Sequence, residues 1–328
     1  MINTSYFGSS ITSQLSRDIS NIRERIEKTS SEAVTGKAAD PTAHLSGQIG
    51  KSMLTQQAVE AIDRDTSLLQ LREARLDITQ QSLERMQDNL AAISVRALDA
   101  LSAGSPVERE ALAGDARAQL DAALISLNAR HGERFLFSGD ATDKAPFGSS
   151  EAFLEDLRAI ADAASDKADF DARMDAYFDS ETGDFANRFY RGSKTSSDGD
   201  AVTGLDPAIA STLRNLGILS MAKPGDALDK FSTGQTLDII SNSADRLVQS
   251  DADLTQLRAA TGILQGRVAD GMKGLAQERL VLNNLLEGMT ARDQYEAASE
   301  LKSLEASLEA SYMLTARLSQ LTLMNFLR

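Results

Sequence analysis

The chain has 328 residues, 42% of them hydrophobic, and carries a formal net charge of −14. This acidity argues against nucleic acid as a partner, because phosphate backbones are bound by basic surfaces. Cysteine and tryptophan are absent and aromatic residues make up 5%, so we expect no disulfide or thiolate chemistry and a core of aliphatic residues and methionine.

The N-terminal arm is predicted to be a helix over about residues 10–33, ending near Thr35-Gly36-Lys37. Its apolar residues recur every three or four positions, which is typical of one helix face. They are Ile11, Leu15, Ile19, Ile22 and Ile26. The first residues have no basic patch followed by an apolar run, so we expect no standard secretory signal. Asp40-Pro41 then predicts a new helix start.

The next segment carries an unbroken seven-residue repeat that runs from Ile62 to Ala97. Such a repeat predicts a coiled-coil seam. As one helix, residues 62–101 would span about 60 Å. After a break at 102–104, Ser105-Pro106 predicts a helix start, and Gly132 is predicted to end that helix.

A short strand-like run follows at residues 134–139, and the chain to about 225 is acidic and rich in Gly, Asp and Ser. We predict a small mixed α/β domain at 140–225, with a helix near Ala208–Leu219. Lys223-Pro224-Gly225-Asp226 marks the return to a helical pattern. In it, the apolar residues Val268, Leu275, Leu282 and Met289 are again seven residues apart. Four glycines between 262 and 274 indicate either close helix packing or local deformability.

The C-terminal arm is predicted to follow a break near residues 288–290, and it is apolar almost to the last residue. Its apolar positions are Leu301, Leu304, Leu308, Leu314, Leu318, Leu321, Leu323, Phe326 and Leu327. Because both ends carry apolar stripes, we interpret the two stripes as an assembly interface.

The predicted fold class is therefore mainly α: a long antiparallel helical rod or bundle built from both termini, with a small mixed α/β inserted domain at the distal end. The predicted domains are terminal assembly arms (1–40 and 290–328), a helical rod (41–139 and 226–289) and an inserted outer domain (140–225).

Residues with catalytic or metal-binding potential do not converge in the sequence. His44 and His131 lack partners at helical ligand spacing, and the glycines at 262–274 lack the context of a phosphate loop. The acidic run from Asp162 to Asp175 lacks the pattern of an EF-hand loop, so we interpret it as a solvated face. We predict no enzyme activity, no catalytic, cofactor or metal site, and no membrane insertion, since no stretch approaches about 20 apolar residues.

Both termini resemble the bacterial flagellin superfamily. The N-terminal resemblance lies in Met1-Ile2-Asn3-Thr4-Ser5 and in the segment from Thr35-Gly36-Lys37 to Asp40-Pro41, although Ala39 stands where the family has a first Asp. The C-terminal resemblance covers residues 309–327. Asp40-Pro41, the 132–139 segment and the Leu-Thr-Leu-Met-Asn-Phe-Leu ending favour the hook-associated, hook–filament junction members over filament flagellins. An Arg188-Phe-Tyr-Arg-Gly192 run is also similar to the family.

This resemblance implies a secreted structural protein of the bacterial flagellum. It implies export through the flagellar type III apparatus and a final position at the hook–filament junction. The implied partners are further copies of itself in a helical ring, a neighbouring hook-associated protein, flagellin and an export chaperone. The alternatives are a filament flagellin, a coiled-coil tether or signalling rod and, more remotely, an enzyme.

Overall fold

Ten α-helices and one small hairpin are described in the computed structural model, which covers residues 5–45, 47–103 and 105–326, with side chains at 13–40, 42–45, 47–102 and 105–317. The helices are α1 (Ser5–Thr35), α2 (Pro41–His44), α3 (Ile49–Gln87), α4 (Leu90–Ala103), α5 (Pro106–Leu127), α6 (Ser150–Ala163), α7 (Lys167–Tyr177), α8 (Pro207–Ser220), α9 (Thr233–Thr290) and α10 (Gln294–Phe326). Strands β1 (Arg130–His131) and β2 (Arg134–Phe135) pair antiparallel, and a π-helix (Phe185–Phe189) and a 3-10 helix (Ala227–Lys230) complete the elements. The prediction of a mainly α fold built from long antiparallel helices is confirmed, and the fold contains a small sheet.

The described residues fall into two compact units. The first lies within Met1–Thr66 and Gly274–Arg328, and the second within Ser67–Lys273. The predicted domain boundaries differ from this division and stay a prediction.

Two antiparallel helix pairs build the first unit. Helix α1 packs along α10, and Arg25 reaches Glu300 across that pair, with 2.9 Å between Nη2 and Oε1. The parts of α3 and α9 in this unit are also joined, through an ion pair of 2.7 Å between Asp63 and Arg279. The predicted antiparallel packing of helices from both termini is therefore confirmed over the described residues.

The seven-residue repeat is confirmed as a buried seam, but the prediction of one helix over 62–101 is wrong. Leu76, Leu83 and Leu90 are all at most 4% exposed. The helix nevertheless breaks between α3 and α4, where Asn89 adopts a left-handed backbone with a φ of 65°. Asparagine tolerates that conformation better than most side chains, so the break forms while Leu83 and Leu90 both stay in the core.

Helix α5 starts at the predicted residue but ends before the predicted one. The Ser105 side chain accepts a hydrogen bond from the Val107 amide, and Pro106 is the first helical residue. The prediction that Gly132 ends this helix is wrong, because α5 stops at Leu127. Gly132, with a φ of 62°, instead forms the turn between β1 and β2.

An aromatic cluster lies in the core of the second unit, which departs from the expected aliphatic core. Nine of the eleven phenylalanines lie between Phe135 and Phe231. Phe153 and Phe189 stack with ring centroids 4.8 Å apart, and Phe147 lies 5.5 Å from Tyr190. The composition averaged over the chain concealed this local concentration.

The predicted insert at 140–225 contains helices, and the small sheet lies just before it. The helix expected near Ala208–Leu219 is α8, with Asp206 as its N-cap. The acidic run is largely paired within the fold: Asp166 caps α7, Asp169 contacts Arg173, and Asp175 lies 2.6 Å from Arg214.

The glycines at 262–274 lie inside a continuous α9. A β-carbon added at Gly271 would approach Leu69 Cδ1 to 3.3 Å, whereas one added at Gly262, Gly266 or Gly274 would meet nothing within 4 Å. Close packing therefore explains Gly271 alone.

Candidate assembly surface of the terminal helices

Helix α1 places its predicted apolar stripe against α10. Leu15, Ile19, Ile22 and Ile26 share one face and are all half-buried. Ile11 lies on α1, but its side chain is outside the described part. This stripe is thus already partly covered by the chain's own C-terminal helix.

Helix α10 changes from buried to exposed along its length. Ala297 is fully buried and Leu304 is 6% exposed, whereas Leu301 and Leu308 are half-buried. Leu314 is 54% exposed. Leu318, Leu321, Leu323 and Phe326 lie on α10 with side chains outside the described part, and Leu327 lies outside the described residues. The role of the whole set as an assembly interface stays a prediction.

A short backbone pairing fixes the base of this helix pair; we call residues 36–38 with 290–292 the terminal clasp. The Ala38 amide donates to the Thr290 carbonyl at 3.0 Å, and the Arg292 amide donates to the Gly36 carbonyl at 2.9 Å. Lys37 and Ala291 form the corresponding isolated bridge. Gly36, with a φ of 67°, allows α1 to end and the chain to turn into this pairing.

Charged side chains connect the terminal clasp to the helix pair. Glu300 accepts from Arg25 at 2.9 Å and from Arg292 at 3.0 Å. Arg292 also lies 3.7 Å from Glu32, whose other oxygen accepts from the Ala39 amide at 2.9 Å. This alternating network ties α1, α10 and the terminal clasp together.

Charged side chains of α1 make two further contacts. Tyr312 accepts from Arg23 Nε at 3.0 Å, and the Arg23 guanidinium lies 5.7 Å from the centre of that ring. The hydrogen bond from Lys28 lowers the pKa of Glu24, which is one turn away. These pairs are exposed, so they orient side chains more than they stabilise the fold.

Several apolar residues of the first unit are exposed although they were not assigned to the predicted stripes. They are Val34, Met53, Leu54, Leu280, Val281, Tyr295 and Met313, each at least 60% exposed. Large exposed apolar surfaces mark interaction sites. The sequence carried a signal for them, because they are apolar residues that fall outside the predicted apolar stripes and seven-residue repeats. Only the structure shows which of these residues remain exposed.

The second unit brings together two sequence motifs that are about 50 residues apart. The Tyr190 hydroxyl lies 3.0 Å from the Phe137 carbonyl oxygen, which also accepts from the Gly204 amide at 2.9 Å. The Ser193 amide donates to the Ser138 carbonyl at 2.8 Å. Burial raises the pKa of Tyr190 to about 12. The segments 135–139 and 188–193 therefore form one packed structure.

Gly139 sits at the closest approach of this structure. Its φ is 59°, and an added β-carbon would lie 2.5 Å from the Ser193 carbonyl oxygen and 2.6 Å from that of Thr195. The next residue, Asp140, donates its amide to Thr195 at 3.0 Å and accepts from the Ser197 amide at 2.7 Å. That second hydrogen bond lowers the pKa of Asp140.

Within the described residues, no three His, Asp or Glu side chains are arranged to hold a metal ion. His44 is exposed on α2, and His131 is half-buried in β1. Among the described residues, no helix combines the length and apolar character needed to cross a membrane.

Comparison with known families adds one match. Residues 244–327 match the model of the bacterial flagellin C-terminal helical region, which covers most of α9 and all of α10. The match supports placing the chain in the bacterial flagellin superfamily. No curated protein matches the sequence.

Proposed function

We propose that this chain, whose C-terminal helices match those of bacterial flagellins, is a structural subunit of the bacterial flagellum, and more narrowly the hook–filament junction protein, hook-associated protein 3. The observation that carries the proposal is the terminal pair α1–α10, of which α10 lies in the region of the family match. It is buried near the terminal clasp and leaves Met313 and Leu314 more than half exposed.

The physical basis of assembly is burial of this surface between subunits. Each Leu or Ile removed from water contributes about 1.5–3 kcal/mol, so a few such contacts per subunit suffice to drive association. A surface that meets a different surface of the next copy generates an open helical array. We assign no catalytic step.

The junction role within the superfamily is supported by the sequence at three places: Asp40-Pro41, the segment 132–139 and the C-terminal ending. The second of these is held in the packed structure around Tyr190. We infer that residues 1–40 and 290–328 act as assembly arms, that 41–139 and 226–289 form a helical rod, and that 140–225 is an outer domain.

The proposed setting is extracellular, at the end of the hook, after export through the flagellar type III apparatus. The proposed partners are copies of the same chain in a ring, a neighbouring hook-associated protein, flagellin and an export chaperone. A coiled coil between α3 and α9 is part of the same proposal.

Deletion of residues 314–328 tests the assembly mechanism. Purified subunits are added to hooks, and incorporation and subsequent filament growth are followed by electron microscopy. We expect the deletion to abolish incorporation while the second unit stays folded, because its core uses residues between 67 and 273. Truncated subunits that still seat on hooks and nucleate filament would refute the mechanism.

Filament flagellin is the second candidate, since it would give the same family match. The phenotype of a strain that lacks this gene distinguishes the two candidate functions. Hooks without filaments, with flagellin shed into the medium, support the junction role. Purified subunits that polymerise into long filaments by themselves would instead identify a flagellin.

A further inference from the structure

The break between α3 and α4 interrupts the helix at only two residues. The Asp88 amide still donates to the Glu84 carbonyl, and the Ile93 amide already donates to that of Asn89, both at 2.9 Å. Asn89 is the only non-glycine residue with a positive φ in the described part of the chain. Backbone outliers of this kind persist only where the surrounding structure favours them, and they are frequent at switch regions.

The core residues on the two sides of the break keep the spacing of one uninterrupted helix. Residues three or four apart share a helix face. The core positions here follow that spacing through the break, and each is at most 3% exposed: Leu83, Met86, Leu90, Ile93 and Ala97. A continuous helix would therefore present the same side chains to the core, and no core residue would have to be exchanged if the break closed.

Gln119 of α5 binds the end of α3 at the break. Its Nε2 donates to the Arg85 carbonyl at 3.2 Å and to the Met86 carbonyl at 3.1 Å, and the residue is 6% exposed. In a continuous helix, these two carbonyls would instead accept from the amides four residues on, those of Asn89 and Leu90. The side chain therefore supplies, in the broken helix, the partner that the backbone would supply in a continuous one.

The break also has room to rearrange. Asp88 and Asn89 are both exposed. A cleft of about 310 Å³ adjoins the break and is lined by residues that include Asn89, Ala92 and Ala118. Close packing resists movement in a protein core, whereas the backbone at 88–89 can move into this open space without displacing core side chains.

We propose that residues 87–90 are a two-state joint, in which α3 and α4 interconvert between the broken form and one continuous helix. Gln119 is the latch of the broken form, and Asn89 is the residue whose backbone changes from left-handed to helical. The two forms share one set of core residues and exchange one set of hydrogen bonds for another, so their free energies lie close together. The inference does not rest on the flagellar role.

Nuclear magnetic resonance of the deuterated full chain tests the proposal, with relaxation dispersion measured on the amides of residues 87–92. We expect a minor form populated to about 1–10%, seen either as exchange at these amides or as a second set of resonances. The carbon chemical shifts of residues 88–90 in the minor form should be those of a helix.

Three variants should move the ratio of the continuous to the broken form in known directions. Asn89→Ala should raise it at least about fivefold, because alanine tolerates the left-handed backbone less well than asparagine. Gln119→Leu should raise it about fivefold, the effect of one lost hydrogen bond. Asn89→Gly should lower it, because glycine adopts a positive φ readily. Circular dichroism checks folding, and the exposed position of Asn89 keeps the test valid if the Gln119 variant does not fold.

Asn242→Ala is the matched control, since Asn242 is an exposed asparagine inside α9 of the same unit. It should leave the ratio of the two forms at residues 87–92 as it is in the natural chain. The proposal is overturned if the natural chain shows no second form at these residues. It is also overturned if a folded Asn89→Ala or Gln119→Leu variant keeps the natural ratio, or if Asn242→Ala shifts that ratio as much as Asn89→Ala does.

Discussion

Substitution of Gly139 by alanine should destabilise the second unit more than the same substitution at Gly132. The two glycines have nearly the same backbone, with φ values of 59° and 62°. A left-handed alanine costs about 1–2 kcal/mol at either position. The two sites differ in the room available to an added β-carbon. At Gly132 it would meet nothing within 4 Å, whereas at Gly139 it would lie 2.5 Å from a carbonyl oxygen.

Relief of this overlap requires the 193–195 backbone to move away. That movement breaks the hydrogen bonds from Asp140 to Thr195 and from Ser193 to Ser138, which measure 3.0 and 2.8 Å. Each bond contributes about 0.5–1.5 kcal/mol. We therefore expect Gly139→Ala to cost about 2–5 kcal/mol in total and Gly132→Ala only the backbone part.

Native-state hydrogen exchange of the full chain, resolved by peptide, measures the effect locally. Amides in residues 134–140 and 190–205 should lose protection in Gly139→Ala and keep most of it in Gly132→Ala. Equal losses in the two variants would refute the reasoning, because the close approach would then contribute nothing beyond the backbone conformation.

Three further changes probe the other contacts. Glu300→Gln should weaken the α1–α10 pair by about 0.5–1 kcal/mol in thermal melts at low salt and by less at high salt. Leu304→Ala should destabilise the first unit by about 2–3 kcal/mol, whereas Leu314→Ala should change its melting by less than about 0.5 kcal/mol yet impair assembly on hooks. Tyr190 has a raised pKa in the fold, so its contribution is fully present below pH 10 and is lost as the pH rises from 10 to about 12, a loss of roughly 2–3 kcal/mol. Urea unfolding of Tyr190→Phe between pH 9 and 12 should lack that part of the pH dependence, and an unchanged slope would contradict the assignment.

Local periodicity predicted most of the helices, because the signals that start and bury a helix lie within a few residues of one another. The Ser105-Pro106 start and the buried Leu76–Leu90 repeat are examples. The break at Asn89 was missed because the hydrophobic repeat continues through it. The early end of α5 was missed because Gly132 suits both a helix stop and a hairpin turn, and only the pairing of β1 with β2 decides between them.

Contacts between distant residues could not be predicted in this way. The terminal clasp joins Gly36 to Arg292, and the network through Glu300 depends on the register between α1 and α10. Neither has a local pattern. The resemblance of the termini indicated that the two arms act together, but it gave no register and did not show that residues such as Tyr295 remain 86% exposed.

The burial along the terminal pair implies an order in which its contacts can open. Near the terminal clasp, Thr29, Ala297 and Leu304 are all at most 6% exposed, whereas Tyr312 and Leu314 are 42% and 54% exposed. Local opening requires less free energy where less apolar area is buried. Residues around Tyr312 should therefore separate from α1 before the terminal clasp does. In the proposed assembly, this order would let α10 exchange α1 for a neighbouring subunit while the clasp keeps the two arms joined. Hydrogen exchange that is faster around Tyr312 than around Ala297 in the free chain would agree with this order, and uniform protection would contradict it.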